Sequence, residues 1–472
     1  MKFQVLSHAG MLVSGQNKTL VCDPWIVGST YWRSWWNYPP VSEELIASVK
    51  PDFIYLTHIH WDHFHGPSLK KFDRSTPVLV PKGHLGRLKR DLRTVGFKNV
   101  VELKHGEGYD IAPNFRIYSY QFFPMPDSAL VVECEGVTLF NANDSKFMGK
   151  PLAQIVHRHP RFDFVFRSHS SANSRLCYDV IDSPEEMVDD PESYIRSFAA
   201  FAIKSQARFA VPFASNHCYL HRETFDFNRT IQTPFAIKQY FEEQGITSPQ
   251  VAVMVSGYSW SSEDGFHQDP NAARYFQERD RYLAEYLERQ RPTLEAFYER
   301  EAHATVTLKE MERYFSGFMG ALPYMVRRIY RGHPIRYHLT AGDRTFLYEV
   351  DIANRKVTEV EPGAELAQMP EIHMSALIMK HAMAAKFCAQ IGIGKRVRFR
   401  VTSKTKKYVQ LLVFLMNLYE SELLPVRSWF RYRFLETWLL RWREVGLYLG
   451  IMLDRLRSQR FSEEQYILNT RV

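Results

Sequence analysis

Between Tyr55 and Gly66 the chain reads Tyr-Leu-Thr-His58-Ile-His60-Trp-Asp62-His63-Phe-His65-Gly, a β-type run that stops in a turn crowded with imidazoles and a carboxylate. Imidazole nitrogen and carboxylate oxygen are donors that Zn²⁺, Fe²⁺ and Mn²⁺ share. With no thiolate nearby, the set does not suit a closed structural zinc site. His58 and His60, two apart beyond a strand, can point to one side, while Asp62 and His63 come round the turn toward a second metal position. The chemistry implied is an open centre holding one or two ions of zinc or iron.

The elements that must position this centre alternate in type. Short β-rich runs at Phe3–Leu6, Thr19–Cys22, Phe53–Thr57, Val78–Val80, Ala129–Glu133, Thr138–Asn141, Phe162–Arg167 and Arg208–Pro212 are separated by helical patterns, which predicts layered α/β structure. A last strand near Gln250–Ser256 is followed by a polar stretch with Asp264-Gly265 and Asp269-Pro270, so the first domain is expected to span 1–262. Residues 263–331 read as a helical linker. Residues 332–472 read as a small α+β module, with a hairpin about Ala353-Asn354-Arg355 and basic amphipathic helices at its end.

Here the chain resembles the metallo-β-lactamase superfamily, whose His-x-His-x-Asp-His motif is matched in full by His58, His60, Asp62 and His63. The resemblance implies an αββα sandwich, an early strand-end aspartate at Asp23 and a metal-bridging aspartate at Asp144. The step His8-Ala9 is similar to a His-Ala/Ser pair found near the site in one branch of the superfamily. A histidine that the pattern requires further on is replaced by Gln121-Phe-Phe-Pro-Met-Pro-Asp127. Phe123 is expected at the ligand position, with Asp127 as a substitute or supporting group. The final histidine must come from His169, His217 or His221, with His169 preferred because it directly follows a strand. The expected ligand set is therefore His58, His60, Asp62, His63, Asp144 and His169.

The stretch Asp23-Pro-Trp25 to Pro40 is similar to the non-Rieske portion of the nucleotide-sugar N-acyl hydroxylases, which include the CMP-N-acetylneuraminate and UDP-N-acetylmuramate hydroxylases. A Rieske centre needs Cys-x-His ligand pairs, and none of the five cysteines, Cys22, Cys134, Cys177, Cys218 and Cys388, lies in one. Any electrons would have to come from a separate protein. Within the same loop, Arg33, Trp35 and Trp36 are expected to pair with a phosphate and stack on a ring; aromatic packing beneath a surface loop is the alternative. Lys146 and Arg167 follow strand ends and are expected to hold an anionic substrate.

Sixty Lys+Arg against 52 Asp+Glu leave a net charge of +8 in 472 residues, which favours anionic partners but is too diffuse to imply nucleic acid. Lys395–Lys407 carries seven cations and no acid, with Arg396, Arg398 and Arg400 alternating against apolar residues as one basic face of a strand. From Arg427 to Arg460 eight arginines accompany apolar residues at helical spacing. That segment is read either as a peripheral membrane contact or as a helix packed on the body. Scattered cysteines and an N-terminus without a long apolar run lead to the expectation of a cytoplasmic protein.

The functional expectation is a metal-dependent hydrolase, with Asp62 or Asp144 orienting the attacking water and an anionic sugar or nucleotide-sugar-like substrate. The alternatives are a non-haem iron hydroxylase fed by a Rieske or ferredoxin protein, and a scaffold with a degraded site.

Overall fold

The computed structural model describes the chain apart from residues 85, 123–126, 171, 173, 186–189, 362–368, 457–460 and 472. An eight-stranded sheet runs in the order Gly265–His267, Ser259–Ser261, Lys2–Val5, Met11–Gly15, Lys18–Cys22, Phe53–Tyr55, Val78–Pro81, Val100–Leu103. A seven-stranded sheet runs Gln250–Val251, Phe209–Phe213, Phe164–Ser168, Val137–Asn143, Asp127–Cys134, Phe115–Phe122, Glu107–Ala112. The sheets face each other across a core that includes Phe3, Val13, Leu20, Leu130, Leu139, Phe164 and Phe213.

Helices Gly66–Leu69 and Arg87–Val95 cover the outside of the first sheet, and Gly149–Arg158, Pro191–Ser205 and Pro234–Glu243 cover the second. These four layers form the metallo-β-lactamase-like αββα sandwich. The strand Phe164–Ser168, parallel to both its neighbours, is buried along its whole length, as a central parallel strand covered on both faces must be.

The expected domain limits do not fall at gaps in packing. Residue 262 lies inside the hairpin Ser259–Ser261/Gly265–His267, which closes the edge of the first sheet. A third sheet runs Tyr178–Val180, Val397–Val401, Glu371–Ser375, Ile335–Ala341, Arg344–Asp351, Lys356–Glu359, and so takes its edge strand from the first 262 residues. The core of this second unit also absorbs Trp25, Tyr31, Trp32 and Trp35 from the aromatic loop. The terminal helices return to the sandwich: Trp442–Leu456 packs on Gly149–Arg158, and Glu463–Leu468 on Pro191–Ser205.

That return creates a pH-sensitive contact. His84 Nε2 donates to Ser421 O at 2.8 Å, and burial, opposed by this bond and aided by the Arg441 guanidinium, pushes its pKa down to about 4. Burial, with Arg441 adding to it, puts His105 at about 4 as well. Both imidazoles have folded-state values below the ordinary 6.5, so their contribution is complete above pH 6.5. It is lost as pH falls toward 4, where only the unfolded chain takes up the protons. We expect a loss of about 3 kcal/mol per histidine over that interval, read as urea midpoints at pH 7.5 and 4.5. The double variant His84→Gln with His105→Gln should flatten the dependence; an unchanged slope would assign it elsewhere.

Candidate metal centre

The motif begins where the strand Phe53–Tyr55 ends, and its first support is Asp23, at the end of the neighbouring parallel strand Lys18–Cys22. The fully buried Asp23 carboxylate accepts from Thr57 N (2.9 Å), Thr57 Oγ1 (2.7 Å) and Asn143 Nδ2 (2.9 Å), and binds His63 Nδ1 at 2.9 Å. The last contact fixes the His63 tautomer and turns its Nε2 inward, as a carboxylate behind a ligating imidazole does. Asp23 thus stands behind the centre.

Two groups of donors converge in front of it. His58, His60 and Asp144 form one, with ligand atoms all within 4.8 Å of one another; His8, Asp62 and His63 form the other. Asp144 Oδ2 lies 3.7 Å from both His58 Nε2 and His63 Nε2, between the two groups. His58 Nε2 is 2.8 Å from His60 Nδ1, and Asp62 Oδ2 is 3.1 Å from His8 Nε2 and 3.2 Å from His63 Nε2. Asp127 Oδ1 approaches His58 Nδ1 at 3.3 Å.

The electrostatics show a shortage of cations. Burial raises the Asp127 carboxyl well above the carboxylate range, and the nearby Asp144 charge raises it further. Burial opposes ionisation of Asp62 and Asp144, yet His63 and His8 hold the first well below the usual range, and His58, His63 and His60 hold the second below it. His58 and His60 are pushed down by burial and stay neutral, while the carboxylates around His63 outweigh burial and raise it. Asp144 Oδ1 is buried and lacks a hydrogen-bond partner, and His63 Nε2 faces only the Asp62 and Asp144 carboxylates, at 3.2 and 3.7 Å. Unsatisfied inward-facing donors of ligand type are costly without a partner, and one or two divalent ions would satisfy them. The side chains of Asp144 (29% exposed) and Asp127 (17%) mark the open side.

Several supporting residues were not visible in the sequence. Tyr31 donates to Asp62 Oδ1 at 2.5 Å, leaving Oδ2 for the centre, and it stays protonated because burial and the Asp62 charge both raise its pKa. It sits in a turn where Tyr31, Trp32 and Arg33 all have positive φ (49°, 56° and 64°). That conformation costs non-glycine residues roughly 1 kcal/mol or more each. The second unit holds the turn in place. Arg396 donates to Trp32 O, and Ser34 donates to Gly394 O. Gly394 lies where a Cβ would come within 2.8 Å of Tyr31 Cβ. Gln390 hydrogen-bonds His60 from the same segment.

The remaining expected residues are distributed differently. Among the described residues neither His169 nor His217 joins a donor group; the His217 ring lies 5.3 Å from that of His8, and it is His8 that stands beside Asp62 and His63. His221 pairs with Glu301 at 3.5 Å, away from the centre. Phe123 lies outside the described residues. Trp35 stacks on His217 at 3.7 Å between ring centroids, and Trp36 is buried against Tyr286 with its Nε1 donating to Arg33 O. Both tryptophans are packing residues in this structure. Arg33 is half-buried and bonds Ser29 Oγ. Arg167 is buried, ion-paired with Glu463 and stacked over Phe201, while Lys146 lies 3.7 Å from the same glutamate. Of the basic strand, Arg398 and Arg400 are exposed as expected, whereas Arg396 is buried between Glu223 and Glu301.

No family model matches the chain. It is 25% identical over 77% of its length to a protein of Mycolicibacterium smegmatis that carries the name of a Rieske 2Fe-2S iron-sulfur protein, covering 74% of that protein. It is 30% identical, over 29% of its length, to the cytidine monophosphate-N-acetylneuraminic acid hydroxylase of Mus musculus, spanning a quarter (25%) of that protein. Among solved structures, the isothiocyanate hydrolase from Delia radicum gut bacteria superposes with a TM-score of 0.40 at 16% identity, covering 55% of this chain and 99% of that one.

Proposed function

We propose that the chain is a metal-dependent enzyme that hydroxylates a small anionic substrate at a non-haem iron centre, with electrons delivered by a separate protein. The observation that carries this reading is the donor set: four imidazoles and the carboxylates of Asp62 and Asp144, with no thiolate among them and with Asp127 3.3 Å from His58 as a third carboxylate. An oxygen-richer set moves preference away from zinc toward iron or manganese. The kinship with a protein named for a Rieske centre and with a hydroxylase supports the same reading.

Bound iron would supply the reduction of O₂, with two electrons and two protons giving one hydroxyl on substrate carbon and one water. The chain's own residues set the stage. Asp23 holds His63 by Nδ1, Tyr31 holds Asp62 by Oδ1, and Gln390 holds His60. Asp127, 3.3 Å from His58 Nδ1 on the open side, is the carboxyl placed to pass a proton to or from the centre. Lys146, two residues beyond Asp144 and 35% exposed, is the cation proposed to meet the substrate, which would compete with Glu463 at 3.7 Å for it. With no Cys-x-His pair in the sequence, a protein of Rieske or ferredoxin type is the proposed electron donor.

The hydrolytic reading rests on Asp144, an anionic carboxylate at the open side that could take a proton from water. Metal analysis of anaerobically purified protein with Mössbauer spectroscopy tests the choice, followed by O₂ consumption on adding a reduced ferredoxin and a panel of CMP- and UDP-sugars. Iron with reductant-dependent O₂ uptake is expected. Zinc-loaded protein that cleaves its substrate without a reductant would replace the proposal with the hydrolase.

A further inference from the structure

The helices Tyr432–Leu440 and Trp442–Leu456 are docked by one face only. Inward, Phe434 is buried against His84, Leu447 joins the core outside the second sheet, and Arg433 pairs with Glu102. Outward, Phe430 is 81% exposed, Tyr432 79% and Leu439 72%, and Trp442, Leu449 and Leu453 are each at least half exposed. Within the first helix the exposed Tyr432, Leu435 and Leu439, and within the second Trp442, Val445, Leu449 and Leu453, fall three or four residues apart, so each helix turns an apolar strip outward. So many large apolar side chains together mark a surface that meets something apolar.

The charges around the strip say what. Its acids are already engaged: Glu436 by Lys82 and Lys104, Glu444 by Arg441, and Asp454 by the Tyr466 hydroxyl. Arg427 and Arg431 are exposed with no ion pair among the described residues, and Arg443 lies over the Trp442 ring at 4.7 Å. The Trp429 indole N–H is satisfied internally by Leu423 O. The strip is therefore apolar, aromatic at its edges and bordered by unmatched positive charge. No described helix is long and apolar enough to cross a membrane.

We propose that this face lies on an anionic bilayer surface, with the apolar side chains entering the acyl boundary and Arg427 and Arg431 meeting lipid phosphate or carboxylate groups. The proposal is independent of which reaction the metal centre performs.

Co-sedimentation of the full chain with vesicles of phosphatidylcholine alone and of phosphatidylcholine with phosphatidylserine tests it. Binding to the anionic vesicles, weakened by salt and weaker on neutral ones, is expected. Leu439→Glu with Leu449→Glu should lower the partition coefficient about tenfold or more, while thermal melting stays near that of the parent because both positions face outward. Arg427→Glu with Arg431→Glu should remove the preference for anionic vesicles, and this pair keeps the proposal testable should the leucine variant misfold. Absence of vesicle binding would overturn the proposal, as would binding unaffected by either pair. A concentration-dependent dimer in vesicle-free solution, lost in the leucine variant, would equally overturn it and assign the face to self-association.

Discussion

His58→Ala combined with His60→Ala is expected to empty one half of the metal centre, because the two imidazoles and Asp144 are the donors gathered there. Metal content per chain, measured on protein purified with excess iron or zinc, should fall by one equivalent or to none. The melting temperature of the wild type should rise with added metal and that of the variant should not, since a bound ligand stabilises only the state that binds it. Asp144→Asn should be milder in metal content, since asparagine keeps one ligand oxygen, with a greater effect on any turnover because it stands between both donor groups. Unchanged stoichiometry in the double histidine variant would sink the assignment.

The second large effect is structural and starts far from the motif. Arg396 is fully buried, with Nε on Glu223 at 2.8 Å, one terminal nitrogen on Glu301 at 2.7 Å and the other on Trp32 O at 2.8 Å. Arg396→Met should destabilise the protein by about 3–5 kcal/mol, largely because Glu301 would remain buried without its partner. Urea denaturation measures this, and adding Glu301→Gln should restore part of the loss by removing the stranded charge. The turn at Tyr31–Arg33 loses its carbonyl anchor in the same variant, so metal retention should fall as well. A variant of normal stability would mean that Glu301 finds a substitute in His221, 3.5 Å away.

What the sequence made legible follows from how local each feature is. The motif's four donors lie within six consecutive positions, so one strand and one turn suffice to place them. The buried parallel strands, such as Phe164–Ser168, were evident as continuous apolar runs. The strand Phe115–Phe122, with Arg, Tyr, Ser and Gln among its apolar residues, carries no such run and has no comparable signature. The contributions of Tyr31 and Gln390 depend on a three-residue left-handed turn and on a second unit folding against it, neither of which has a local signature. His8 was noted beside the site, yet its place with Asp62 depends on how the first strand's end meets the motif turn. Arg167 and Lys146, expected to hold an anionic substrate, both pair with Glu463, some three hundred residues further along the chain, a contact with no local signature.

The edge strand Tyr178–Val180 has a consequence for how the protein is made. Its partner, Val397–Val401, is translated long after the motif, and the segment carrying Gln390, Gly394 and Arg396 emerges just ahead of that partner. On the ribosome, the sandwich can collapse around His58–His63 while the aromatic turn still lacks the groups that brace it. A nascent chain stalled before Val397 would carry the motif without that bracing wall and is expected to bind metal more weakly than the finished protein.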